Sequence, residues 1–276
     1  MADSFTPDDL ARIQRETFIE RCEYHAEIES TNTRALELCR TGEADEMLLV
    51  LADRQTAGRG RQSNQWWAGD GALTFSLILA TDSANLPAER WPQASLTTGL
   101  AVCEAVSNLL PTAEVALKWP NDVYLRRRKV CGVLIEIPPE KPGVLVVGIG
   151  INVNNALAAA PAELQHTATS LTDCTGLDHD RSDVLILIVQ QLQLELERLA
   201  RGDASLAERW RRLCHLRGKQ VELLAGERRY AGRCGGIGPD GGLILETDAG
   251  PTSFFGGVIT SVRATGNSDD ASSRES

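Results

Sequence analysis

The 276-residue sequence has no apolar run approaching the ~20 residues needed to span a bilayer, which argues against a membrane helix. Its start, MADSFTPDDLARIQRETFIERCEYH, lacks the basic opening and apolar stretch of a secretion leader, so the expected compartment is the cytoplasm. The seven cysteines (Cys22, Cys39, Cys103, Cys131, Cys174, Cys214 and Cys234) include no C-x-x-C pair and none with a histidine at metal-ligand spacing. They read as reduced, mostly buried small residues. Positive charge is in short supply: 28 Lys and Arg face 38 Asp and Glu, a formal net charge of -10. Such a surface repels phosphate backbones and anionic lipid, so an anion site has to be a local basic cluster. No Ser-His-Asp or Cys-His arrangement stands out, and His25, His166, His179 and His215 read as surface or structural.

What is present is a series of short segments rich in Val, Ile and Leu at residues 47–52, 73–79, 115–119, 130–137 and 143–153, which predict strands. Their near-continuous apolar character predicts a sheet covered on one or both faces. Helical spacing recurs at residues 33–40, 96–109 and 183–200, so the body is α/β or α+β. After Gly218 the texture changes to short alternating segments separated by Gly, Asp and Pro, the pattern of a small Src-homology-type β-barrel. The expected organisation is a body over residues 1–217, with 1–24 as a helical extension, a barrel over 218–263 and a disordered tail over 264–276.

Three segments carry chemistry. The first, Ala52 to Trp66, follows a predicted strand and sets Arg59 between Gly58 and Gly60, with Arg61 next. Glycines let the backbone approach an anion while two guanidiniums converge on it. The G-K-[ST] ending of a Walker loop is missing, and no helix opens here as a dinucleotide fingerprint requires. Taken alone, the loop fits a phosphate clamp, a flexible Arg-Gly turn or an RNA-contacting segment equally well. The second segment, Leu117 to Glu136, puts Lys118 at a strand end before Trp119-Pro120, with Asn121-Asp122 opening a turn. A lysine so placed is a point charge able to neutralise a carboxylate and then a phosphate oxygen, or else a surface lysine beside a structural turn. In the third, Gly148 and Gly150 sit inside a strand, where glycine marks a bulge or a ligand lying close to the backbone.

In order and spacing these segments resemble the biotin–protein ligase family over roughly residues 28–262. The family's Gly-Arg-Gly-Arg loop and trailing Trp are Gly58 to Arg61 and Trp66. Its Lys-Trp-Pro-Asn-Asp motif is Lys118 to Asp122, its Lys-x-x-Gly-[IV]-Leu is Lys129 to Leu134, and its Gly-[IVA]-Gly-Ile-Asn strand is Gly148 to Asn152. Ser30-Thr31-Asn32 resembles the family's Ser-Thr-Asn, although a plain N-cap would use the same residues. One departure stands out: many members continue with Gly-Arg before the Trp, whereas this chain has Gln62-Ser63-Asn64-Gln65.

The resemblance implies an α+β fold, a mixed sheet packed with helices like the catalytic core of class II synthetases, followed by the small barrel. It implies that ATP and biotin are substrates, that biotinyl-5'-AMP forms with loss of pyrophosphate, and that biotin passes to a lysine of a biotin carboxyl carrier domain. Lys118 is the first expected catalytic group, with Arg59 and Arg61 as a lid over the intermediate. Ser30, Thr31 and Gln55 are expected at the ureido head of biotin; Asn32, Gly58, Gly60, Gly148 and Gly150 among the residues that bind biotin or the adenylate; Trp66 near the adenosine end; and Asn152 near the adenine or ribose. Magnesium is expected with no assignable ligands, Asp122 being either an outer-shell carboxylate or a turn former. No DNA or membrane partner is expected, and a homodimer is compatible with the sequence. Two other readings stay open: a lipoate or octanoate ligase or transferase of the same fold, for which Cys131 is the one candidate thiol, and a biotin-responsive binding or regulatory protein.

Overall fold

The structure, a computed structural model, describes residues 4–44 and 47–263; the tail expected over 264–276 lies outside them, as do the first three residues of the expected extension. Helix α1 (Pro7–Glu16) is held at its start by a reciprocal cap, Thr6 Oγ1 accepting from Asp9 N and the Asp9 carboxylate accepting from Thr6 N. Then come β1 (Arg21–Ile28), α2 (Thr31–Thr41), β2 (Leu48–Gln55) and β3 (Leu73–Ala80). Helix α3 (Ala94–Leu109) leads into β4 (Val115–Lys118), β5 (Asp122–Leu125), β6 (Arg128–Glu136) and β7 (Val144–Ile151). After the short helices α4 (Ala162–Gln165) and α5 (Leu171–Thr175) run α6 (Arg181–Arg201) and α7 (Ser205–Leu213). The chain continues through β8 (Gln220–Ala225), β9 (Arg228–Ile237), β10 (Leu243–Thr247), β11 (Gly250–Phe254) and β12 (Val258–Arg263).

The first seven strands form one mixed sheet in the order β1-β2-β3-β7-β6-β5-β4, with β1 and β2 parallel and the other pairs antiparallel. Its central strands are apolar on both faces because both faces are covered. On one side Leu48, Val50, Ile78 and Val146 pack on Ala35, Leu38 and Cys39 of α2. On the other, Leu49, Leu51, Phe75 and Leu77 share a core with Leu100 and Val106 of α3 and Ile188 and Leu192 of α6. The α+β architecture with a mixed, helix-packed sheet is as expected. The last five strands make a second, antiparallel sheet in the order β11-β10-β9-β8-β12, in agreement with a small all-β module.

The structure contains elements that the sequence patterns do not predict. The span read as a helical extension, residues 1–24, is helical only over Pro7–Glu16, and Arg21–Ile28 is a strand. It hid because it is an edge strand with no fully buried residue and carries Arg21, Glu23 and Glu27, so no apolar run marks it. Strand β5 is four residues long and stands where a turn is expected; helices α4, α5 and α7 fall outside the helical spacing seen in the sequence.

The modules meet at the start of β8. The amide of His215 donates to Leu117 O at 2.8 Å, Cys214 bridges Leu117 in parallel, and the buried Trp119 indole donates to Gly241 O at 3.1 Å. Behind them, Glu195 of α6 is fully buried and accepts from Arg209 at 2.5 and 2.8 Å and from Arg198 at 2.6 Å; Arg209 also reaches Glu104 at 2.9 Å. Removing one member of such a network strands buried charge. Glu195→Ala is therefore expected to cost about 3 kcal/mol in urea unfolding.

Candidate active site

A cleft of about 410 Å³ opens at the C-terminal ends of β2 and β4, lined by residues from α2, the 58–66 loop, β4 to β7 and the Gly257–Ile259 segment before and within β12. Its closed end is built by the start of α2. Ser30 is the N-cap, its Oγ accepting from Thr33 N at 3.4 Å, so the cap role and a place in the cleft coexist. Gln55 Oε1, at the end of β2, accepts from Thr31 N at 2.7 Å and Thr31 Oγ1 at 3.1 Å. Ser76 Oγ donates to Asn32 Oδ1 at 2.6 Å and stands 2.7 Å from Thr31 Oγ1. Asn32 Nδ2 donates to Glu136 Oε2 at 2.9 Å and Leu134 O at 3.3 Å. Both ends of the Asn32 amide are thus fixed, and the buried Ser30, Thr31 and Asn32 line the cleft together with Gln55.

Gly148 and Gly150 have a physical reason other than a bulge, for β7 keeps register with both neighbours there. A Cβ at Gly148 would lie 2.0 Å from Asn32 Oδ1, and one at Gly150 would lie 2.4 Å from Trp66 Cε2. The close neighbours of these glycines are side chains that shape the cleft, and both glycines line it. Trp66 Nε1 is buried with no partner among the described residues, a donor left over beside the cleft.

The Arg loop folds back on itself as a small hairpin: Gly60 N donates to Asn64 O at 2.8 Å, Asn64 N to Arg61 O at 3.1 Å, and Trp66 N to Gly58 O at 2.9 Å. Gln62 holds a left-handed φ of 57°, a conformation uncommon for a residue with a Cβ. Gly58 does not line the cleft; a Cβ there would fall 2.4 Å from Trp66 O, so its task is to let the hairpin close.

Charge decides the character of the site. Arg59 forms a two-bond pair with Glu136 at 2.7 and 2.9 Å, and Lys129 pairs with Asp122 at 2.6 Å. Lys118 and Arg61 line the cleft with no carboxylate partner among the described residues. Burial pulls the Arg61 pKa below its ordinary value, with Asp122 opposing. The chain therefore brings two uncompensated cations to one cleft despite a net charge of -10, which is what an anionic ligand requires.

Two expectations need correction. Asn152 is buried away from the cleft, its Nδ2 donating to Thr169 O and its Oδ1 accepting from Asn155 Nδ2, both at 3.0 Å; its polar groups are used up in holding the chain after β7. Asp122 is no turn former, since it opens β5 and pairs with Lys129, and Trp119–Asn121 make the turn around a cis Trp119–Pro120 bond. The sequence reading passed over Ser76, Glu136 and Tyr124. Glu136 ends the recognised Lys129 segment and offered a weak signal; Ser76, buried in an apolar strand, offered none.

Among the described residues no group of three or more His, Cys, Asp or Glu converges to hold a metal. The two carboxylates beside the cleft, Asp122 and Glu136, each face a cation already. These residues do not fit a resident magnesium ion.

His215 stacks beneath Tyr124, and burial together with the charges of Lys219 and Lys118 pushes its pKa down to about 4. The folded protein then keeps this ring neutral while the unfolded chain takes up a proton below its usual 6.5, so this contribution to stability is lost as pH falls from 6.5 towards 4. His215→Phe is expected to unfold with a shallower pH dependence across that window, as measured by urea melts.

The fold and the cleft fit one class of protein, and residues 24–154 match the model of the Biotin/lipoate A/B protein ligase family. The Bifunctional ligase/repressor BirA of Bacillus subtilis is 32% identical over 86% of this chain and 72% of its own length. The Biotin--[acetyl-CoA-carboxylase] ligase of Mycobacterium tuberculosis is 31% identical over 86% of this chain and 88% of its own. The biotin protein ligase of Aquifex aeolicus, solved in complex with biotin and ATP, superposes with a TM-score of 0.77 at 31% identity, covering 90% of this chain and all of that one. The chain belongs to the biotin–protein ligase family.

Proposed function

We propose that this chain is an ATP-dependent biotin–protein ligase, forming biotinyl-5'-AMP and passing biotin to a lysine of a carboxylase carrier domain. The observation that carries the reading is the juxtaposition in one cleft of a neutral, hydrogen-bonding end (Ser30, Thr31, Asn32, Gln55) with two unpaired cations, Lys118 and Arg61. A bicyclic urea is neutral and needs donors and acceptors in fixed places; a carboxylate and an α-phosphate need positive charge where they meet. Lys118 offsets their repulsion, and Arg61 bonds the developing phosphate charge. Arg59, tied to Glu136, anchors the loop, and Trp66 walls the cleft. The loop keeps water from the mixed anhydride until an amine attacks it. Magnesium would travel with the triphosphate, and no step is assigned to it.

The relatives include ligases named for acetyl-CoA carboxylase, which supports a carboxylase carrier as the acceptor. The cytoplasm suits seven thiols that are all unpaired. A DNA-binding role is outside the proposal: the net charge opposes it, and α1 is engaged with α6. An acyltransferase would need a reactive thiol, but Cys131 is fully buried, does not line the cleft, and has its pKa pushed far up by burial.

The test is pyrophosphate release from ATP with biotin, lipoate or octanoate as the acid. Release with biotin alone, followed by labelling of a purified carrier domain, is the expected result. Release driven by lipoate with none from biotin would overturn the assignment. No helix among the described residues is long and apolar enough to cross a membrane.

A further inference from the structure

Lys118 is a flexible side chain held from behind by an uncharged partner. Its Nζ donates to Tyr124 Oη at 3.0 Å and lies 5.2 Å from the centre of that ring. Tyr124 sits on β5 directly opposite Ala116 of β4, so the hairpin itself fixes the spacing. The Tyr124 ring stacks on His215, with centroids 4.8 Å apart and planes 30° from parallel. His215 is anchored twice, by its backbone amide on Leu117 O at 2.8 Å and by its Nε2, 3.1 Å from Lys219 Nζ. Lys219 immediately precedes β8, so the row Lys118, Tyr124, His215, Lys219 runs from the cleft to the first strand of the second sheet.

We propose that Tyr124 and His215 are positioning residues for the Lys118 ammonium, with Lys219 orienting the imidazole from the base of the C-terminal module. The inference rests on the reading of Lys118 as the cation between carboxylate and phosphate. Its logic is chemical. A lysine with four rotatable bonds spreads its charge over many positions, and a carboxylate that fixed it would also cancel it, as Asp122 does for Lys129. A phenol oxygen accepts one N–H of the ammonium and leaves the charge available. A neutral imidazole serves as the stacking partner because its Nε2 lone pair accepts a hydrogen bond from the Lys219 ammonium; a protonated ring would set a third cation between two lysines. The low pKa of His215 agrees with that state near neutral pH. The other groups acting on the ring are Glu114 and Arg127, at the exposed ends of the neighbouring hairpin.

A double-mutant cycle read by steady-state pyrophosphate release over a range of biotin and ATP concentrations separates positioning from mere structural support. Tyr124→Phe keeps the stack and deletes the hydroxyl; it is expected to lower kcat about 10-fold, the size of one hydrogen bond to a charged group, with the KM values for biotin and ATP nearly unchanged. On a Lys118→Gln background the same change is expected to have no further effect. His215→Ala should imitate Tyr124→Phe, and His215→Phe, which restores a stacking ring, should recover part of the rate. If the His215→Ala protein does not fold, the Tyr124 cycle alone decides. Normal turnover by Tyr124→Phe beside an impaired Lys118→Gln overturns the positioning role only. Equal losses from Tyr124→Phe in both backgrounds overturn it in favour of general support. Normal turnover by Lys118→Gln removes the assignment of Lys118 itself, and with it this inference.

Discussion

Lys118→Ala is expected to reduce biotin-dependent pyrophosphate release by about 10³-fold or more while the protein stays folded. A unit charge about 4 Å from one anion, at the effective dielectric of about 20 typical of a partly exposed site, contributes on the order of 4 kcal/mol. That corresponds to about three decades in rate if the interaction is strongest as the anions close. Arg59 and Lys129 cannot substitute in place, because they are tied to Glu136 and Asp122, and Arg61 is already assigned to the phosphate. Lys118 makes no ion pair among the described residues, so its loss leaves no orphaned carboxylate and should shift the unfolding midpoint little. Retention of normal turnover by the folded variant would falsify the electrostatic role.

Gly148→Ala is expected to damage biotin binding more than any conservative change elsewhere in the sheet. The added carbon would stand 2.0 Å from Asn32 Oδ1 and 2.7 Å from Asn32 Cγ, so the amide has to leave. Its departure breaks contacts with Ser76, Leu134 and Glu136, and Glu136 is also the anchor of Arg59. Overpacking of this kind costs about 1–3 kcal/mol of stability. The same displacement should raise the Kd for biotin by roughly 10- to 100-fold, given about 1–3 kcal/mol for hydrogen-bonding groups left unpaired. Calorimetric titration of biotin in the absence of nucleotide measures this directly, and an unchanged Kd in a destabilised protein would separate packing from recognition.

How much of this was readable in the sequence depends on which physical signal each element carries. Strands β2, β3 and β7 announced themselves because burial on both faces leaves a long apolar run, whereas edge strand β1 needs no such run and left none. Lys118, Arg59, Arg61 and Gln55 were found through local motifs, and all four line the cleft. Asn152 sat in an equally good motif but serves the backbone after β7, since a motif records which residues recur together and not which way each one faces. The division of the cations into tied and free pairs was beyond sequence, because Glu136 is 77 residues from Arg59 and Lys118 looks no different from Lys129 on paper. His215, expected to be surface or structural, stacks on the Tyr124 ring behind Lys118, and stacking leaves no spacing rule to read.

The indole bond from Trp119 to Gly241 has an engineering consequence. It makes the loop after Lys118 a keystone shared by both modules, with the 217–219 hinge merely the thread between them. Grafting a foreign β module at that hinge would expose a large aromatic ring and orphan its N–H, however well the graft folds by itself. Chimeras in this architecture should therefore be cut so that the Gly241 turn travels with the Trp119 loop.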